Sequence, residues 1–211
     1  MVFKNRQSAG KLLAANQLYY LISEKPIVLA LPRGGVPVGF EVAKKLNSPL
    51  DVFLVKKIGA PFDPELGIGA VAEGNIQILD KKLINELGIS KDLLSKSIKK
   101  SKEKLEEKIA IYRENPLLSL KNKTVILVDD GVATGVTARA AIEGIKKLKP
   151  KKIIFASPVC ALDTARDFKS LVNDVICLTT PPNLASIGSW YEDFEQIEDE
   201  DVIKMLKTLK N

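Results

Sequence analysis

A chain of 211 residues, 45% hydrophobic and 27% charged, is long enough for one sizeable α/β domain with a real core. With no histidine and two lone cysteines it has no Ser-His or Cys-His nucleophile, no histidine base and no histidine-ligated zinc, so any metal would be held by oxygen ligands, which favours magnesium. A formal charge of +6 fits an anionic substrate, nucleic acid or a solvated lysine-rich surface, while the lack of a membrane-length apolar run or signal segment, with Cys160 and Cys177 in apolar runs, leads us to expect a cytoplasmic protein.

Residues 6–23 read as one amphipathic helix with Leu12, Leu13, Leu18, Leu21 and Ile22 on its apolar side; Phe3, Arg6 and Gly10 show only packing. Ile27 to Leu31 reads as a buried strand, followed by Pro32-Arg33-Gly34-Gly35-Val36-Pro37 and a helix to Leu46 in which Pro37 suits the first turn. Gly34 and Gly35 allow backbone to approach a ligand, and the Arg33 fork suits phosphate oxygens, so this turn is a candidate anion site. A third strand, Asp51 to Lys57, ends in the cations Lys56 and Lys57. Between 58 and 79, glycines and prolines punctuate a weakly patterned segment, and a hairpin is expected from Gly67–Ala72 and Ile76–Leu79 with its turn at Glu73-Gly74-Asn75. Gly67-Ile68-Gly69 has no preceding strand or following helix and so is not a dinucleotide fingerprint. Helices follow at Lys81–Leu87 and Lys91–Tyr112. The mixed charges of the second, Glu103, Glu106 and Glu107 against Lys99, Lys100, Lys102 and Lys104, favour a solvated helix over a nucleic-acid stripe.

The most informative stretch is Val125 to Thr137. Its apolar run Val125–Val128 suits a strand buried on both faces, closed by Asp129 and Asp130. Gly131, Val132, Ala133, Thr134, Gly135, Val136 and Thr137 form a loop of glycines and hydroxyls leading into a helix (Ala138 to Leu148), whose N-terminal dipole favours an anion. No lysine follows Gly135, so it is not a Walker loop. Two carboxylates beside a phosphate cradle repel the phosphate unless they bind another part of the same ligand; ribose hydroxyls or a divalent cation would both serve. A sugar phosphate is implied. Further on, strands Lys152–Pro158 and Asp174–Leu178 flank a helix from Leu162 to Leu171, and a last helix spans Asp199–Leu209. The alternation predicts a parallel sheet with helices on both faces, a Rossmann-like α/β fold with both anion loops at the carboxyl ends of strands.

Val125 to Thr137 resembles the phosphoribosyl-pyrophosphate (PRPP) motif of the type I phosphoribosyltransferases, and the resemblance extends from Ile27 through Asp193. It is closest to members whose acceptor is unassigned. It implies one domain: a core at about 25–57 and 122–178, a lid at about 58–79, a helical insertion at about 80–115 and a C-terminal hood at about 179–211. Arg33, Gly34 and Gly35 would be its pyrophosphate loop, with a cis peptide at Arg33–Gly34, and Lys56 and Lys57 basic contacts to pyrophosphate. Asp129 and Asp130 would take the ribose hydroxyls and magnesium, and Gly131 to Thr137 the 5′-phosphate. Glu65 and Glu73 of the lid, with Lys57, are the implied catalytic groups. Trp190 could stack on an acceptor, beside Glu192 as a magnesium-linked carboxylate. The implied reaction, in nucleotide metabolism, transfers the 5-phosphoribosyl group to a nitrogenous acceptor and releases pyrophosphate. Two departures weigh against hypoxanthine-guanine chemistry: Ala133 stands where that branch has an acid, and Val159-Cys160 offers no purine-recognising lysine. The alternative is a PRPP-sensing regulator without catalysis, acting on nucleic acid. No membrane partner is expected, and a homo-oligomer stays open.

Overall fold

The computed structural model describes residues 1–113 and 115–209; residue 114 of the expected insertion and residues 210 and 211 of the expected hood lie outside the described residues. In order the chain forms α1 (Arg6–Leu13), β1 (Ile27–Ala30), α2 (Gly35–Leu46), β2 (Leu50–Val52), β3 (Val55–Gly59), β4 (Gly67–Ala72), β5 (Ile76–Leu79), α3 (Lys81–Glu86), α4 (Lys91–Tyr112), β6 (Thr124–Val128), α5 (Val136–Lys147), β7 (Lys152–Val159), α6 (Leu162–Phe168), β8 (Asp174–Thr179) and α7 (Asp199–Thr208).

Strands that are apolar at every position need cover on both faces, and the main sheet has it. Its five parallel strands lie in the order β2-β1-β6-β7-β8. Side chains alternate across the pleat. Val28, Ala30, Ile126, Val128, Ile154 and Ala156 pack with Leu13, Val38, Val42 and Leu206 of α1, α2 and α7. Their neighbours Ile27, Leu29, Val125, Leu127, Ile153 and Phe155 pack with Ala141, Ile142, Ile145 and Phe168 of α5 and α6. Among its own strands in chain order the sheet reads 2-1-3-4-5, so the winding reverses between β1 and β6. Ligands of such sheets bind in the crevice at that reversal, beyond the carboxyl ends of the strands. The expected α/β fold is therefore present. β3, β4 and β5 form a separate antiparallel sheet, with the expected hairpin strands at the expected residues.

Three local expectations are corrected. The helix read over 6–23 is α-helical only to Leu13; a wide π-type turn spans Ala14–Leu18 and a tight 3-10 segment Tyr19–Glu24. Five residues of regular α-helix would swing Leu18 well away from Leu13, whereas the wider turn keeps Leu13, Leu18 and Leu21 all buried. Leu12 and Ile22, read as core-facing, are 42% and 37% exposed. The strand read over 51–57 divides between the two sheets, because side chains capture its backbone at the join. The Glu73 carboxylate accepts from Leu54 N–H at 2.8 Å, and Arg113 donates to the Val52 carbonyl at 3.0 Å. The cis peptide precedes Arg33 rather than Gly34. The turn closes there through Gly35 N–H on the Leu31 carbonyl at 3.0 Å, which puts the reversal one peptide earlier than the glycine pair implied.

Candidate active site

The loops after β1 and β6 meet at the reversal point and line a cleft of about 410 Å³ with Arg6 and Ile187. Their contact is close. A Cβ on Gly34 would fall 2.1 Å from Asp130 Oδ2, so only glycine lets the two loops pack. This explains Gly34 by its neighbour across the sheet, a cause separate from the ligand approach inferred from sequence.

The loop after β6 is fastened at its base and open at its tip. Val132 donates to Val159 at 3.0 Å, Ala161 donates back to Val132 at 2.8 Å, and the Thr164 hydroxyl donates to the Ala133 carbonyl at 2.5 Å. Gly135 turns the chain into α5 at φ 71°, a left-handed conformation that disfavours side chains. The N–H groups of Ala133, Thr134, Gly135, Val136 and Thr137 find no partner among the described residues. A run of open donors at the positive end of a helix is suited to a phosphate.

The two aspartates differ. Asp129 accepts its neighbour's N–H at 2.9 Å, and burial, reinforced by the Asp130 charge, raises its pKa well above the usual carboxylate value. Asp130 is 8% exposed and is met by Arg6, also 8% exposed, with Nε 2.7 Å from Oδ2. Arg6 is held in turn by the Glu195 carbonyl at 2.7 Å and by the Phe194 ring, whose centroid lies 3.7 Å from the guanidinium carbon. Tyr191 donates to the Asp130 carbonyl at 2.6 Å; burial first, then the Asp130 charge, pushes its phenol pKa up, so it stays a donor. Sequence reasoning passed over Arg6, Tyr191 and Ile187. No local signal marks Arg6, whose partner is 124 residues away.

The expected basic contacts separate. Arg33 and Lys56 line one cavity, whereas Lys57 lines another, because successive residues of β3 point to opposite faces. Lys57 pairs with Glu65 at 3.2 Å on the rim, where the Glu65 side chain is 92% exposed. Glu73, read as a lid acid or base, is instead fully engaged in the interior: with Asp51 it flanks Arg113, and all three are buried. Trp190 and Glu192 stand beside the cleft without lining it. Their backbone pairs with the N-terminus, Phe3 N–H on the Trp190 carbonyl and Glu192 N–H on the Phe3 carbonyl, both at 2.8 Å. Among the described residues no three acidic or cysteine side chains gather as a metal cage. Magnesium is commonly held by one or two carboxylates plus substrate phosphates, which Asp129 and Asp130 could provide; Arg6 already covers one oxygen of Asp130.

The phosphoribosyl transferase domain model matches residues 70–187. Over 206 residues, 97% of this chain and 46% of the relative, the sequence is 35% identical to a Mycobacterium tuberculosis protein named "Putative phosphoribosyl transferase Rv0571c". The chain thus spans about half the length of the curated relatives it matches. The crystal structure of TT1426 from Thermus thermophilus superposes with a TM-score of 0.87 at 36% identity, covering 99% of both chains. No helix among the described residues is long and apolar enough to cross a membrane.

Proposed function

The chain belongs to the phosphoribosyl transferase domain family, and from that premise we propose that it binds PRPP with magnesium and passes the 5-phosphoribosyl group to a nitrogenous acceptor. The observation that carries this reading is the packing of the Arg33–Gly35 turn directly onto the acid pair beside a loop of open amides. One ligand with a phosphate, a diol and a second anionic group spans all three.

In this reading Gly131 to Thr137 anchor the 5′-phosphate, and Asp129 and Asp130 accept the ribose hydroxyls. Arg33, Gly34, Gly35 and Lys56 face the pyrophosphate, with Lys57 and Glu65 carried over the rim by the β3–β4–β5 sheet. Asp129 and Asp130 would hold magnesium together with the donor, and the ion would neutralise the departing charge. The anomeric C–O bond breaks with its electron pair leaving on pyrophosphate, and the acceptor nitrogen's lone pair forms the new bond to that carbon as its N–H proton is released to solvent. Positioning does most of this work. Ile187 forms the tail-side wall of the cleft, where the acceptor enters past Trp190 and Glu192.

The test is thermal. PRPP with magnesium at a hundredfold excess over Kd adds about 2.7 kcal/mol of stability, which raises Tm by roughly 5–10 °C for a chain of this size. Asp129→Asn removes most of that rise and leaves the Arg6–Asp130 pair intact. An unchanged Tm with PRPP refutes the reading. A second reading, a PRPP sensor without catalysis, is favoured by one observation: neither Glu65 nor Glu73 lines the cleft. Pyrophosphate release measured over a panel of purines, pyrimidines and other nitrogen heterocycles separates the two, since a sensor binds PRPP and releases none.

A further inference from the structure

Helix α4 reads in sequence as a solvated, mixed-charge helix. In the fold one stripe of it is covered: Leu105 and Tyr112 are buried, and Lys104 and Lys108, one turn apart, line a cavity of about 480 Å³ together with Arg33 and Lys56. Four cations around one cavity repel each other except where anions offset them. Among the described residues Lys56 and Lys104 have no ion-pair partner, so part of this charge is uncompensated. Thr137, Leu31 and Pro32 line both this cavity and the cleft of the phosphate loop, so the two adjoin.

The other two cations are occupied by the start of α7. Asp199 accepts from Lys108 at 2.6 Å and from Tyr112 at 2.7 Å, and Glu198 accepts from Arg33 at 3.0 Å. These hydrogen bonds, Lys108 foremost, hold the Asp199 carboxyl below its usual pKa. We infer that the cavity receives the pyrophosphate half of the donor, that Lys104 and Lys108 of the helical insertion are ligands for it, and that the Glu198–Asp199 carboxylates stand in its place until it arrives. The inference rests on the proposed function and assigns to it two residues and a competing element that the motif-bearing loops do not contain. The geometry favours exchange. The Arg33–Glu198 pair is largely exposed and so contributes little, whereas a diphosphate brings more charge and more acceptor oxygens to the same donors. Binding would therefore loosen α7 from α4 and couple the C-terminal helix to the occupancy of the site.

Calorimetric titration of magnesium pyrophosphate and, separately, ribose 5-phosphate tests this. Lys104 is solvent-facing, so Lys104→Gln should fold normally; it is expected to weaken pyrophosphate about tenfold and leave ribose 5-phosphate unchanged. Asp199→Asn, which removes the competitor, is expected to tighten pyrophosphate severalfold, an effect no purely structural role of α7 would produce. If wild type binds both ligands, and Lys104→Gln and Asp199→Asn leave pyrophosphate affinity unmoved, the inference is overturned and the transferase reading stands. If wild type binds neither ligand, the transferase reading falls and the inference with it.

Discussion

Arg6 shows how much a single side chain can contribute to a site from outside its motif. A buried guanidinium that bonds a carboxylate, a carbonyl and an aromatic face at once is expensive to replace, because removing it leaves Asp130 buried without a counter-charge. Arg6→Met should destabilise the protein by about 3–5 kcal/mol in urea unfolding, and the double variant Arg6→Met/Asp130→Asn should recover much of that loss. Arg6→Lys should recover less, since an ammonium cannot reach Asp130 and the Glu195 carbonyl together while stacking on Phe194. At this scale the acid pair, the loop and Arg33 could be proposed from sequence because each lies in a run of neighbours whose chemistry suits one kind of ligand. Arg6 and Tyr191 were not, since their partners are set by chain reversal. The same applies to Glu73: a turn carboxylate in sequence is a buried ion-pair partner in space.

Among the elements, the best-read were those whose pattern is local and whose burial is one-sided or complete. The hairpin strands and α4 fall at the residues expected, and in the structure the Ser90 hydroxyl caps α4 by accepting from Leu93 N–H at 3.3 Å. The failures came where tertiary packing overrode a local pattern: the π-type turn after α1, and the divided strand at Phe53–Leu54. The turn after β1 is the element on which the site depends most directly. Gly34→Ala places a methyl group inside the volume of Asp130 Oδ2, so the loop, the aspartate or both must move. We expect a loss of about 1–3 kcal/mol in stability and at least tenfold weaker PRPP binding, measured by denaturation and calorimetry on the same preparation. Wild-type behaviour in both would show that the two loops are not in contact in solution.

Across the whole molecule, Arg113 joins the parts. It follows α4 and reaches Asp51 on β2 at 2.9 Å, the Val52 carbonyl, and Glu73 at the end of β4, so one buried cation ties the insertion, the main sheet and the hairpin sheet together. Arg113→Met leaves two buried carboxylates uncompensated and should cost about 3–5 kcal/mol. Hydrogen exchange should show the loss first in β3, β4 and β5, with the main sheet protected longer. Uniform loss across both sheets would mean that the network stabilises the fold without joining its parts.

By itself, the sequence determined the α/β class and the strand-loop-helix order, and it carried the ligand class proposed for Val125–Thr137. All three follow from residues adjacent in the chain, where periodicity, turn chemistry and charge act over a few positions. Only the tertiary structure decided which charges meet. It paired Arg6 with Asp130, withdrew Glu73 to Arg113, and brought Lys104 and Lys108 of α4 to the cavity of Arg33. Those pairings depend on segments far apart in the chain coming together, and electrostatic energy depends on distance in space and burial, neither of which is a property of a neighbourhood in sequence.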